Sequence, residues 1–448
     1  MKSHLYVLVS GLCYSLTAPA ALANSETQFS VKAAHYDREF SNQNNTRTQT
    51  GVGLILRHQQ SFLNKLIELK GAAYSAIKLA SSGQVRQDLL TIRNGDTSGF
   101  SLLGEASIQL NLSPNLSVEY GRLRHDSMLL ESKTRLLPSS FHGFNINWVA
   151  SKNHRVYVNR YTKWSERANP NFNDFNTGVD SDSVINAILI AGTESKFQIS
   201  DSQTAELNIE VLESKNYLRK VGVVGQLKHS INDKSSIKFK GSLQSSRDAG
   251  NLFVVGANST LDSVEQNLDT QLSNSQIPNS KLTHDGFGAY LSAEYKFKQS
   301  SITLGITKIG DAWLEDNFDN DHGTTPFPTR TFGPDLTNTN ETVWLGEYQY
   351  QWKRGILKGL SSKFAIAKGM DIENSIDSAL GRAEEQWWSA EARYKRKFTN
   401  KLLGFDKSAF IDARFRYRSY QSNEIGEVAG IASDRNEWRA ELSYSIEF

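Results

Sequence analysis

Apolar residues recur at every second position over stretches of about ten residues. Leu102, Gly104, Ala106, Ile108, Leu110 and Leu112 alternate with Ser101, Glu105, Ser107, Gln109 and Asn111; after the tight turn Ser113-Pro114-Asn115, Leu116, Val118 and Tyr120 resume the pattern. Phe287, Ala289, Leu291, Ala293, Tyr295 and Phe297 repeat it, as do Trp344, Tyr348, Tyr350 and Trp352, and finally Trp438, Ala440, Leu442, Tyr444, Ile446 and Phe448. Period two is the signature of strands, and no comparable segment shows the 3.6 period of a helix. Short connections fall near 59–64, 113–115, 151–154, 200–203, 231–235, 298–301, 353–359 and 399–407. Longer polar ones fall near 39–47, 79–100, 122–141, 164–184, 247–283, 310–340, 369–385 and 421–434, with one brief member around 213–216. Eight turns and nine loops predict an all-β chain of about 18 strands, with turns on one side and long loops on the other, as in an outer-membrane barrel whose turns face the periplasm.

The distribution of aromatics separates a barrel from a soluble sandwich. A sandwich buries its apolar face and has no reason to gather aromatics at strand ends. Here Trp388, Tyr394, Phe415, Tyr417, Trp438, Tyr444 and Phe448 share the apolar parity of the last three strands, as interfacial girdle residues do. The opposite face carries Glu, Gln, Ser, Arg and Lys, and at this strand number it would line a lumen too wide for side chains to fill. The expectation is a single antiparallel transmembrane β-barrel.

Composition narrows the picture further. The 448 residues include 50 Lys+Arg and 48 Asp+Glu, so a net charge of +2 gives no basic footprint for nucleic acid. One cysteine excludes a disulfide scaffold, and no run after the N-terminus is long and apolar enough for a transmembrane helix. Lys2, the apolar stretch Leu5 to Leu16, and Ala21-Leu22-Ala23 read as a secretory signal over residues 1–23, cleaved before Asn24. Residues 24–448 then form one barrel domain, exported to the outer membrane of a Gram-negative bacterium.

Two constellations carry candidate chemistry. Arg414, Arg416 and Arg418 stand at spacing two and so point the same way, about 6.5–7 Å apart. Arg393 and Lys395 on the preceding strand share that parity, as does Arg439 on the following one. An arginine facing lipid at the bilayer midplane would cost about 2–4 kcal/mol, so these six side chains belong in the lumen. They can act as a basic ladder, each guanidinium forking onto a carboxylate in transit. They can equally pair with Asp412, Glu391, Glu437 or Glu441 and merely solvate the wall. The second constellation is the loop 122–141, in which Met128, Leu129, Leu130, Leu136, Leu137 and Phe141 are too apolar to stand in water. It should fold back into the lumen and narrow the pore, with Arg135, Leu136, Leu137, Pro138 and Phe141 at the constriction; the alternative is an extracellular loop packed on its neighbours.

The run Gly121-Arg122, Arg135-Leu136-Leu137-Pro138 and Phe141-His142-Gly143 resembles the third-loop signature of the OprD family of substrate-specific outer-membrane porins. The Arg414/Arg416/Arg418 strand and Asn436-Glu437-Trp438-Arg439 are similar to that family's C-terminal end, and weaker matches lie at Tyr36-Asp37-Arg38-Glu39-Phe40 and Lys368-Gly369-Met370-Asp371. The resemblance implies an 18-stranded barrel, monomeric or loosely trimeric, with an eyelet formed by the third and seventh loops. It implies a ladder of Arg393, Arg414, Arg416, Arg418 and Arg439 guiding amino acids, small peptides or organic acids. It also implies an acidic group opposite the ladder in the seventh loop, for which Asp316, Asp319 and Asp321 are candidates. Some relatives pass chitin-derived oligosaccharides, which remains the alternative.

No cofactor or catalytic residue is expected. The nine histidines have no metal-site spacing, Gly51-Val52-Gly53 and Gly286-Phe287-Gly288 precede no helix, and no G-x-S-x-G elbow occurs. A barrel enzyme would need a Ser/His pair of matching parity, which the sequence does not assemble. The reading is a passive, selective porin. Its expected partners are outer-membrane lipid and lipopolysaccharide, the assembly machinery through terminal Phe448, and a small-molecule substrate.

Overall fold

A computed structural model describes residues 25–40, 46–177, 183–253, 284–310, 313, 316–319, 321, 327, 336–373, 382–402, 405–423 and 434–448. The signal sequence expected over 1–23 and most of the loop expected over 247–283 lie outside the described residues. The wall is built from strands β1 (Ser25–Phe40), β2 (Thr46–Phe62), β3 (Ile67–Gly83), β4 (Phe100–Ser113), β5 (Leu116–Leu123) and β6 (Ser140–Ser151). It continues through β7 (His154–Ser165), β8 (Ile188–Ser200), β9 (Gln203–Ser214), β10 (Leu218–Asn232), β11 (Ser235–Asp248) and β12 (Asp285–Phe297). Strands β13 (Ser300–Ile309), β14 (Thr342–Gln351), β15 (Leu360–Glu373), β16 (Arg382–Leu402), β17 (Phe405–Asn423) and β18 (Arg435–Glu447) complete it. Each strand pairs antiparallel with the next, and β1 closes the ring on β18 with Gln28 opposite Glu447 and Phe40 opposite Arg435. The chain is therefore an 18-stranded closed antiparallel β-barrel, a topology that leaves no sheet edge unpaired.

The alternation becomes two surfaces. On β9, Leu207, Ile209 and Val211 face outward at 37–40% exposure, whereas Glu210 between the last two is fully buried on the inside. Phe287 and Leu291 on β12, Ile302 and Leu304 on β13, and Trp344 and Tyr348 on β14 extend the same exposed apolar band. In water such a surface would be an aggregation hazard; against lipid it is the stable arrangement. Outward aromatics touch across strands: Trp388 lies 5.1 Å from Tyr417 and 6.2 Å from Phe364, and Phe415 lies 6.2 Å from Trp438.

One stretch departs from the sequence pattern. In the pairing of β3 with β4, Ala72 faces Glu105 and Ala73 faces Leu103, so Gly104 is skipped. This bulge reverses the parity there: Leu103 is 50% exposed on the lipid side, while Leu102 packs inward. The alternation expected through Leu102 and Gly104 thus slips by one residue. The cause is local, because the Tyr74 ring lies where a side chain at 104 would begin: a Cβ built there would stand 2.1 Å from the ring.

Candidate functional site

The lumen is partly filled by loops that pack on the wall. Loop 3 (124–139) crosses from one wall to the other. Its C-terminal part, Leu136 and Leu137, joins a buried cluster with Ala34, Tyr36, Ala72, Tyr74 and Ala76 of β1 and β3. Gly51 and Gly53 on β2 allow this close approach: a Cβ at 53 would lie 2.8 Å from the Leu136 carbonyl oxygen, and one at 51 would lie 3.0 Å from Leu136 Cδ2. Burying each leucine contributes about 1.5–3 kcal/mol. Pro138 is buried and forms a bridge with Thr134, and Phe141, the second residue of β6, packs 5.2 Å from Tyr161 and 6.4 Å from Phe175.

At its other end, loop 3 is held by one carboxylate. Glu210 accepts hydrogen bonds from the backbone N–H of Leu129 at 2.7 Å and of Met128 at 3.2 Å, from the Ser127 hydroxyl at 2.9 Å, and from the Tyr157 hydroxyl. The four donors take up a charge that would otherwise be stranded in a fully buried position. His125 spans Tyr161 at 2.9 Å and Ser127 at 2.8 Å, and burial pushes its imidazole down to about 3, so it stays neutral. The carbonyl of Leu129 accepts from Asn317 Nδ2 of loop 7 at 2.9 Å, which ties the two loops together.

Beside this plug lies the charged wall. Arg393 forks onto Asp412 at 2.8 and 2.5 Å, and Arg414 reaches Glu391 at 2.5 Å. Arg416 meets Glu441 at 3.2 Å and Arg418 meets Glu437 at 2.9 Å. These are the same acidic partners that the scaffolding alternative anticipated. Glu437 also accepts from Arg439, and Arg38 forks onto it with both bonds at 3.1 Å. Arg439 lies 4.5 Å over the Tyr36 ring. Lys395 is exposed toward the turn end of β16, opposite Asp412 in the register.

The wall continues where sequence reasoning did not look. Arg47 on β2 and Arg135 in loop 3 share Asp88 of loop 2 (84–99) at 2.8 and 2.5 Å. Burial pushes the Asp88 carboxyl up, but Arg135, Arg38 and Arg47 outweigh it and hold it well below the usual carboxylate range. With Lys32 on Glu441, nine cations share five carboxylates among the described residues: Asp88, Glu391, Asp412, Glu437 and Glu441. Among those ion pairs, cations outnumber carboxylates.

Loop 4 (166–187) adds Glu166 and Arg167, which are 7% and 5% exposed. Arg135 and Asp88 are the charged neighbours of Arg167 beside Glu166 itself. Its Nε and Nη2, one edge of the guanidinium fork, find no acceptor among the described residues. Burial pushes the Glu166 carboxyl up to about 7, against the pull of Arg167 and Arg135. Of the loop 7 acids, Asp321 is 5% exposed and accepts from Asn317 N at 3.0 Å and Nδ2 at 2.7 Å, so its contacts brace the loop. Asp319 donates its N–H to the Asn176 carbonyl at 2.9 Å, and Asp316 is half-buried nearby in the chain.

A closed barrel with an apolar outer band, a loop-narrowed lumen and a cationic inner wall defines an outer-membrane channel. The family model for outer membrane porin, OprD family, matches residues 21–448, and the chain belongs to that family. Among solved structures, the chain is similar to OpdK from Pseudomonas aeruginosa, determined with vanillate, at 16% identity and a TM-score of 0.74, covering 95% of this chain and 99% of that one. OccK9 (OpdG) from the same organism gives 16% identity and a TM-score of 0.75 over 96% and 100%. OccAB1 from Acinetobacter baumannii gives 18% and 0.75 over 96% and 99%. No curated protein sequence matches the chain.

Proposed function

We propose that this porin gives passive, selective diffusion to small carboxylate-bearing solutes such as amino acids, peptides and organic acids, guided by the arginine wall, with no chemical step. The observation that carries the reading is Arg167. A buried guanidinium with one edge lacking acceptors among the described residues, set among Arg135, Asp88 and Glu166, is an under-compensated positive charge. Neither nitrogen of that edge is open to solvent, so Arg167 acts on a carboxylate in the lumen through its field, which Arg416, Arg418 and Arg439 extend along the wall. Binding there is strong enough to draw an anion in and, because five carboxylates compete for the same guanidiniums, weak enough to release it. The vanillate bound in the OpdK structure is itself a carboxylate.

The sugar-selective alternative fits less well. Stacking on a sugar needs an open aromatic face, yet the inward tryptophans Trp164, Trp313 and Trp387 are 7%, 1% and 2% exposed and consumed in packing. On the same account the outward aromatics sit against lipid and lipopolysaccharide, and the 39% exposed Phe448 is what the assembly machinery engages.

Planar-bilayer recordings test the proposal. Benzoate added to a chloride electrolyte should interrupt the wild-type current, and its half-blocking concentration should rise about tenfold in Arg167→Gln, which removes one cation from the field beside the lumen. Identical block in wild type and variant would remove Arg167 from the pathway, and no block at all would remove the carboxylate reading.

A further inference from the structure

Away from the arginine wall, the turn ends of β10 to β12 enclose a second charged space. A cavity of about 720 Å³ opens there between turns 233–234, 298–299 and 352–359, on the side expected to face the periplasm. Its lining includes Lys228, Lys234, Lys296, Lys298, Lys353 and Arg354, and no apolar side chain. Lys228 and Lys296 belong to the inner face, because their parity is that of Gly222 and Ser292, and a Cβ at Gly222 would meet Met128 of the loop 3 plug at 2.9 Å. The remaining charges of the lining are Lys238, which is paired with Glu294, and Asp233. Among the described residues, Lys238 is the only cation of this lining that holds an ion pair.

The contrast with the arginine wall is chemical. There, buried guanidiniums are locked onto carboxylates and present planar forks. Here, exposed ammonium groups stand in water as mobile point charges that read charge and not shape. Each is screened on its own. Gathered around one cavity, their fields add on a solute that carries several charges and hardly retain one that carries a single charge.

We propose that this turn-side vestibule is a binding site for small multivalent anions, polycarboxylates and phosphate compounds alike, which holds such solutes on the turn side of the constriction. The inference rests on the channel reading but not on the arginine wall. Full-length protein in planar bilayers is the test, with citrate and pyrophosphate as trivalent probes and benzoate as the monovalent control. Both trivalent anions should block the current, more strongly from one compartment than the other, and the block should weaken about tenfold in the triple variant Lys228→Gln, Lys296→Gln, Lys298→Gln while benzoate block is unchanged. These side chains are exposed and outside the arginine wall, so the barrel should fold as before. Absence of trivalent block, block unaltered in the triple variant, or an equal loss of benzoate block would each overturn the assignment. If benzoate does not block at all while trivalent block requires the lysines, the carboxylate-guidance reading fails and this one stands.

Discussion

Glu166 contrasts with Asp88 beside it in titrating near neutrality, since burial lifts it to about 7 whereas arginines hold Asp88 far lower. An unfolded glutamate titrates near about 4.3, so between these values the folded chain keeps a proton that the unfolded chain has lost. The associated stabilisation is full below the lower value and disappears as pH rises through about 7. Charge selectivity follows the same titration. With Glu166 neutral, the excess of guanidinium charge is larger, so anion preference measured as a zero-current potential should fall between about pH 5.5 and 8.5, and Glu166→Gln should hold it at the acidic level throughout. A variant that keeps the wild-type profile would assign the titration elsewhere. Glu437 poses the opposite case. It is 1% exposed and shared by Arg38, Arg418 and Arg439, so Glu437→Gln strands three guanidiniums and should destabilise the barrel by about 3–5 kcal/mol in urea unfolding. An unchanged midpoint would show that the cluster is solvated in a way its burial does not suggest.

At the scale of elements, loop 3 is held at two ends by different physics: apolar burial over Gly51 and Gly53, and the hydrogen bonds of Glu210. Glu210→Ala leaves the Leu129 and Met128 amides without their acceptor and should free that end of the loop, raising single-channel conductance. Gly53→Val should do so from the other end, because its Cβ already conflicts with the Leu136 carbonyl. Conductance equal to wild type in both variants would mean that loop 3 does not set the pore. The strands themselves were readable because period two, once started, persists to the next turn; expected turns such as 113–115 and 151–154 bracket the observed 114–115 and 152–153. The bulge at Gly104 was not, since a skipped residue leaves the composition of a strand unchanged. The arginines of β16 to β18 were visible by spacing. Arg38, Arg47, Asp88 and Arg167 were missed because closure of the ring and folding of loops 2 and 4 bring them in from distant sequence, as in the Arg38–Glu437 pair, 399 residues apart. Lys32, Tyr36 and Arg38, which share one parity on the first strand, were the available signal.

At the scale of the molecule, a net charge of +2 conceals a strongly polarised interior. Arginines crowd the wall from β16 round to β2, lysines gather at the turn-side mouth, and the band facing lipid is apolar and aromatic. This separation lets a nearly neutral chain present an anion pathway, because fields inside a low-dielectric tube depend on where charges stand and not on their sum. The sharpest test compares two solutes of one shape, benzoate and benzamide, entering liposomes that hold the purified protein. The account predicts faster, saturable benzoate entry that falls with rising salt and drops about tenfold in the double variant Arg167→Gln, Arg416→Gln, with benzamide entry unaffected. Equal entry of the two solutes, or benzoate entry indifferent to both substitutions, would contradict it.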